Sequence, residues 1–221
     1  LGDDEDTDGA SGTVSLVNHS VAETVNNSSG FTYEVGYDQV SSNDQDPYVI
    51  KKNAADEQVW GYYHDQTSVD ARAVYIALDD DDRPYVVFTA DGGSNDGDRF
   101  QANHVVDGAF DDAPFDSYGS GGGAKVTILA RLDPDTGKIE RGTFLIARLT
   151  NGNTNTINPK GLSVSGSTVL LDVESAYWPP AAGATHGSWQ RFDDYSNGEP
   201  PLRYSFPADL TEISSVQVRE G

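Results

Sequence analysis

Short apolar runs alternate with turn-forming clusters along almost the whole chain. In order they are "FTYEVGY", "PYVIKK", "QVWGYY", "RAVYIAL", "PYVVFTA", "KVTILARL", "KIERGTFLIARL", "GLSVS", "STVLLDVES", "LRYSF" and "SSVQVRE". Each is enriched in β-branched or aromatic residues and bounded by Gly, Pro, Asn, Asp or Ser, the composition of strands and their turns. No window sustains an apolar period of 3.6 over ten or more residues, so helices are not expected. The pattern predicts an all-β chain of antiparallel β-meanders, in an incomplete propeller-like or sandwich architecture. Turn chemistry agrees. "DPDTGK" at 133–138 has the composition of a tight hairpin with a left-handed residue at Gly137, and "SVSGSTV" sets Gly166 between two apolar runs in the same way. "GSGGG" at 119–123 reads as a flexible connector or as a loop needing several positive φ values.

The N-terminal end differs. Residues 1–12, "LGDDEDTDGASG", hold five acidic groups and no large apolar residue after Leu1, so alone they form a solvated tail. In "TVSLVNHSVAETV", Val14 and Leu16 alternate and Val17, Val21 and Val25 follow, which predicts one or two short strands. We therefore divide the chain into residues 1–30, an acidic tail with an exposed strand, and 31–221, one all-β domain with an aromatic, Pro-rich segment at 177–206. Val14, Leu16, Val17 and Val21 are the residues expected to serve in assembly, by donation of that strand to a neighbouring subunit.

An internal echo is visible when "YVIKKNAADEQVWGYY" is set beside "TILARLDPDTGKIERGTF": Lys52 matches Arg131 and Val59 matches Ile139. "AVYIALDDDDRPYVVFTA" follows the first and "GLSVSGSTVLLDVESA" follows the second. The segments "AVYIALDDDDRPYVVFT" and "ILARLDPDTGKIERGTFL" resemble the repeats of bacterial secreted β-propellers, and the second is also similar to quinoprotein-type propeller repeats. The resemblance spans 48–63 and 72–178, about half the chain. It departs from the family where "DDRP" replaces the usual Gly-Asn of the turn. The resemblance implies propeller-like β-meanders; about three such units are too few to close a ring, since propellers have typically four to eight blades.

Charge narrows the classes of partner. With 36 acidic against 14 basic residues the net charge is −22, which excludes nucleic-acid backbones and disfavours anionic membrane surfaces. No apolar run approaches the roughly 18 residues of a membrane span. The chain has no Cys and no Met, so disulfides and thiolate metal sites are excluded. An opening without Met fits a processed N-terminus and a removed signal peptide. An extracellular or cell-surface location is expected. Aspartate-rich, lysine-poor surfaces suit either high salt or calcium-rich water, and composition does not separate the two.

The acidic residues also define the first candidate site. Asp79, Asp80, Asp81 and Asp82 lie in a strand-to-strand turn, and "DGGSNDGD" adds Asp91, Asn95, Asp96 and Asp98 just beyond the next strand. Calcium takes six to eight oxygen ligands from carboxylates, amides and carbonyls, so two such loops at one sheet edge are a candidate Ca2+ site; a solvated acidic loop is the alternative. Three Asn-x-Ser/Thr sequons, at Asn18, Asn26 and Asn27, are candidate glycosylation positions. The four histidines are scattered, with no zinc-ligand spacing. Trp178, Trp189, Arg191 and Tyr195 form the second candidate site, a carbohydrate-binding face in the aromatic segment; the alternative is that these aromatics pack on each other or on another subunit. Ser-nucleophile and phosphate-loop motifs are absent.

These observations favour a secreted, non-enzymatic structural protein: a subunit of an extracellular filament, sheath or surface assembly, homo-oligomeric or polymeric through strand exchange and stabilised by calcium. A secreted carbohydrate-binding module with a glycan partner, and a glycoside-type hydrolase supported only by abundant carboxylates, are the alternatives.

Overall fold

The structure, a computed structural model, describes residues 19–42, 44–64, 70–92, 104–118, 124–175, 177–184, 188–192 and 201–219. Strands β1 (His19–Asn26), β2 (Thr32–Ser41), β3 (Asp44–Lys52) and β4 (Gln58–Tyr63) form the first sheet. Strands β5 (Ala71–Leu78), β6 (Pro84–Gly92), β7 (Ala124–Leu132) and β8 (Ile139–Leu145) form the second. A two-stranded piece follows, β9 (Ala147–Arg148) with β10 (Thr154–Asn155). The third sheet contains β11 (Ile157–Ser165), β12 (Thr168–Ser175), β13 (Pro201–Pro207) and β14 (Ser215–Val218). In each four-stranded sheet neighbours in sequence are antiparallel neighbours in space, so the expected meanders are present. No helix occurs among the described residues, hence none long and apolar enough to cross a membrane.

The echo in the sequence now has a cause. In both copies it joins the last two strands of one sheet to the first two of the next: β3–β4 with β5–β6, then β7–β8 with β11–β12. The architecture is thus three blade-like sheets in series, without closure into a propeller.

The second sheet lies in the middle, since β1, β2 and β3 pack against its β5 and β11 packs against its β5, β6 and β7. β12 and β13 alternate buried and partly exposed positions along their whole length, as expected for a sheet with one face in the core. In the second sheet, by contrast, Tyr85, Val86, Val87 and Phe88 are consecutive and all fully buried, as are Ile128, Leu129 and Ala130. Both faces of β6 and β7 are therefore covered. The first sheet is covered on both faces over part of its length as well, β2 burying residues 33–36 and β3 residues 47–51 without a break, so regular alternation is confined to β12 and β13. A single cluster spans all three sheets, from Tyr33, Val35 and Trp60 through Val87 and Ile128 to Leu171, Tyr204 and Phe206.

The edges of the sheets are treated differently. β5, the first strand of the middle sheet, gives its Ile76 amide to the Glu23 carboxylate of β1 at 2.8 Å. β8, its last strand, is covered by residues 104–118: Val106 N donates to Ile139 O at 2.9 Å, Ile139 N to His104 O at 2.8 Å, Gly142 N to Ala109 O at 3.1 Å and Phe144 N to Phe115 O at 3.0 Å. Phe110 lies against Gly142, where any Cβ would meet its ring at 2.4 Å. Among the described residues no segment pairs in this way with the outer side of β4 or of β14.

Candidate functional site

The Asp79–Asp82 run is a hairpin turn whose charge is answered locally. Asp79 is buried, and its Oδ1 accepts from Asp81 N at 3.0 Å and Arg83 N at 2.9 Å. Its Oδ2 accepts from Arg83 Nε at 2.8 Å, and Arg83 also reaches Asp81 at 3.0 Å. Asp82 holds the left-handed position, φ 61°, and takes the Ser28 hydroxyl at 2.8 Å. Asp80 remains exposed. Repulsion within the run is thus offset by one guanidinium, two backbone amides and a serine, donors that a dehydrated cation would otherwise replace.

The same turn recurs with a spacing that sequence reading missed. Asn27 accepts from Ser29 N and Phe31 N at 3.0 and 2.8 Å; Asn53 accepts from Ala55 N and Glu57 N at 2.9 and 3.0 Å. Gly30 and Asp56 hold the left-handed positions, with φ of 83° and 62°. Asn27, Asn53 and Asp79 are therefore equivalent residues, opening the β1–β2, β3–β4 and β5–β6 hairpins. Asp133 opens the β7–β8 hairpin in a related way, accepting from Asp135 N and Thr136 N at 2.9 and 2.6 Å. Several of these turns converge: burial, then Asp82, Asp135 and Asp133, push the Tyr33 phenol up to about 12.

The remaining calcium and sequon candidates are dispersed. Asp91 pairs with Lys125 at 2.6 Å. Asn95, Asp96 and Asp98 lie outside the described residues. Among the described residues no three of His, Cys, Asp and Glu gather as a metal ion would require. Asn26 is exposed and accepts the Thr32 hydroxyl at 2.7 Å, while the Asn27 amide oxygen is committed to its turn. Asn18, Val14, Leu16 and Val17 fall outside the described residues; Val21, on β1, is 53% exposed.

The outer face of the first sheet carries a charged network unnoticed in the sequence. Strand β2 places Glu34, Gly36 and Asp38 on that face. His19, at the start of β1, lies with Nε2 2.8 Å from Glu34 and Nδ1 2.8 Å from Asp38. A neutral imidazole donates from only one nitrogen, so both contacts are hydrogen bonds only when the ring is the imidazolium. His19 also stacks on Tyr48 at 3.7 Å, and Tyr48 fits because Gly36 has no side chain: a Cβ there would meet the Tyr48 hydroxyl at 2.5 Å. Lys52 reaches Glu34 at 3.0 Å, and Tyr63 donates to Asp38. Burial pulls the Glu34 carboxyl upward, but Lys52 and His19 outweigh it and hold it below the ordinary value. Burial and the adjacent carboxylates push Tyr48 and Tyr63 well above the phenol range. Each oxygen of both carboxylates has a partner from the protein, and the arrangement ties β1 to its sheet.

A second cluster joins the first two sheets. The β7–β8 turn is gripped by donors from the first sheet: Lys51 Nζ and Trp60 Nε1 both reach Pro134 O, at 2.7 and 3.0 Å. His64 Nε2 reaches Gly137 O at 3.1 Å. His64 is fully buried, with ring centroids of Phe88 and His104 at 5.4 and 6.2 Å, and burial drives its pKa down to about 4.

The aromatic segment divides in two. Trp189 turns inward: its Nε1 donates to Ile146 O at 3.2 Å, its ring packs on Phe115 at 5.5 Å, and the Arg148 guanidinium lies over it at 4.5 Å. Trp178 instead lies parallel to Tyr177, with centroids 6.0 Å apart and planes within 3°. Arg191 is exposed, and Tyr195 lies outside the described residues. Of the candidates at this face, the structure thus places Trp178 and Trp189 in different settings.

No protein-family model matches the chain, and no curated protein matches it. Among solved structures, a thermostable family-43 glycoside hydrolase aligns over 90% of this chain and 70% of its own, with 8% identity and a TM-score of 0.40. So slight a likeness assigns neither fold nor activity here. It does correct one expectation: the structure aligned over most of the chain is an enzyme, and the reading of this chain as non-enzymatic is withdrawn.

Proposed function

We propose that the chain is a subunit of an extracellular assembly whose copies join through the edges of their sheets. One observation carries this reading. The outer strand of the middle sheet, β8, is covered by residues 104–118, whereas among the described residues no segment pairs with the outer side of β4 or β14, and each presents an exposed valine, Val59 at 43% and Val218 at 40%. Unpaired N–H and C=O groups along a strand are a template for another strand, and soluble proteins ordinarily block such edges with charge, proline or a covering loop. Neither Val59 nor Val218 is such a block. The acidic composition supports an extracellular setting, and calcium bound by the Asp79–Asp82 turn with Asp91, Asn95, Asp96 and Asp98 belongs to the same proposal as a stabiliser. Analytical ultracentrifugation and negative-stain microscopy of the whole chain, with and without a chelator, test it. Species larger than one chain at micromolar concentration support the reading, and a monomer at every concentration overturns it.

A further inference from the structure

We infer that His19 is a proton-operated clasp: as the imidazolium it closes the N-terminal end of β1 onto β2, and on losing its proton it lets that end open. Both ring nitrogens lie 2.8 Å from a carboxylate oxygen, Nε2 from Glu34 and Nδ1 from Asp38. The imidazolium donates to both. A neutral ring donates to one and turns a lone pair toward the other carboxylate, so deprotonation exchanges a charge-assisted hydrogen bond for a repulsive contact. The side chains of His19, Glu34 and Asp38 are 14%, 10% and 5% exposed, which leaves water little room to relieve that contact.

The groups facing the ring hold their own charge states. Against burial, Lys52 and His19 keep the Glu34 carboxyl below its ordinary value. Burial and the adjacent carboxylates keep Tyr48 and Tyr63 protonated, and these phenols donate to Glu34 and Asp38 respectively. Lys52 is shared between Glu34 at 3.0 Å and Asp56 at 3.7 Å, and Asp46 adds to the field on Tyr63. On β5, which packs against β1, Arg72 is turned to Gln45 and Tyr37.

The opening has a boundary. The register of β1 on β2 shifts between Val21 and Glu23. Beyond this bulge Glu23 accepts from Ile76 N at 2.8 Å, Asn26 accepts the Thr32 hydroxyl at 2.7 Å and Ser28 donates to Asp82 at 2.8 Å, anchors that do not involve His19. Before it, residues 19–21 pair with Gly36, Tyr37 and Asp38 and are held by the clasp. Loss of the proton therefore bares the edge of β2 at residues 36–38 and stops at the bulge. The device is independent of the edges of β4 and β14.

Amide hydrogen exchange of the full chain, followed by NMR between pH 5.5 and 8.5 and expressed as protection factors to remove the intrinsic pH dependence, tests the inference. Protection of the amides that join residues 19–21 to 36–38 should fall about tenfold or more over that range, while those joining 24–26 to 32–34 hold. The fall should track the His19 ring titration read from its 15N resonances, with both nitrogens protonated at the acid end. His19→Gln donates to one carboxylate at every pH, and its protection there should not change with pH. Constant protection in the parent overturns the proposal, as does a fall that His19→Gln shares or one that runs past the bulge. Should His19→Gln fail to fold, the parent still decides: a fall whose midpoint departs from that of the ring titration equally overturns it.

Discussion

Gly137 and Gly152 both hold positive φ, 71° and 86°, but they meet different surroundings. A Cβ at Gly137 would lie 2.6 Å from the Trp60 ring, whereas nothing stands within 4 Å of one at Gly152. Gly152→Ala therefore costs only the left-handed backbone penalty, about 1 kcal/mol. Gly137→Ala adds overpacking of a buried tryptophan and costs about 3 kcal/mol, a difference that urea unfolding of the two variants measures. His64 supplies the acid-sensitive residue of the same seam. Its folded pKa of about 4 lies below the ordinary 6.5, so between those values the unfolded chain binds a proton that the folded chain refuses. This contribution is present above pH 6.5 and is lost as pH falls toward 4, on the order of 3 kcal/mol in all. Urea unfolding at pH 7, 5.5 and 4.5 should show His64→Gln losing less stability across that range than the parent. An equal loss in both would show that His64 does not set the slope. Nothing in "YYHDQ" announces a buried histidine; burial comes from Phe88, His104 and Gly137, all distant in sequence.

At the scale of single elements, the hairpin opened by Asp79 explains the acidic run better than its charge does. Three hairpins begin with Asn27, Asn53 and Asp79, so the position requires an amide or carboxylate oxygen in place to accept two backbone N–H groups. Asp79→Asn should cost about 1 kcal/mol: it keeps the oxygen that accepts two backbone amides, as asparagine does twice elsewhere in the chain, but puts an NH2 where Oδ2 accepted from Arg83 and so loses that partly exposed bond. Asp79→Ala leaves two amides without their acceptor and costs about 2 kcal/mol. Thermal unfolding of both variants distinguishes the turn from a solvated acidic loop, for which the two would be alike. The strands themselves were legible: all eleven apolar runs from "FTYEVGY" to "SSVQVRE" overlap strands β2 to β14. The two-residue strand β10 was not, being too short to show alternation, and β9 lay unseparated from β8 within "KIERGTFLIARL". The equal spacing of the three turn-opening residues was readable too, but the left-handed position three residues later is Gly once and Asp twice, and no glycine pattern marks it.

At the scale of the whole molecule, three sheets in series bury both faces of the middle one and leave β4 and β14 at the outside. Association through those edges should be abolished by Val59→Lys together with Val218→Lys, since a lysine on an edge strand opposes pairing while its exposed position spares the fold. Sedimentation of the double variant as a monomer, beside an associated parent, is the expected result; unchanged association would place the contact elsewhere. The residue order alone determined the all-β class, the meander pairing of neighbouring runs and the turn positions, because alternation and turn chemistry depend on residues close together in the chain. It also located the aromatic segment, though not which rings face outward. Only the tertiary structure decided that Asp82 meets Ser28, that His19 bridges Glu34 and Asp38, that His64 is sealed against the β7–β8 turn and that Trp178 parts from Trp189. Each of these depends on groups brought together from different elements, and the free energy of a charge or a ring is set by what surrounds it in space.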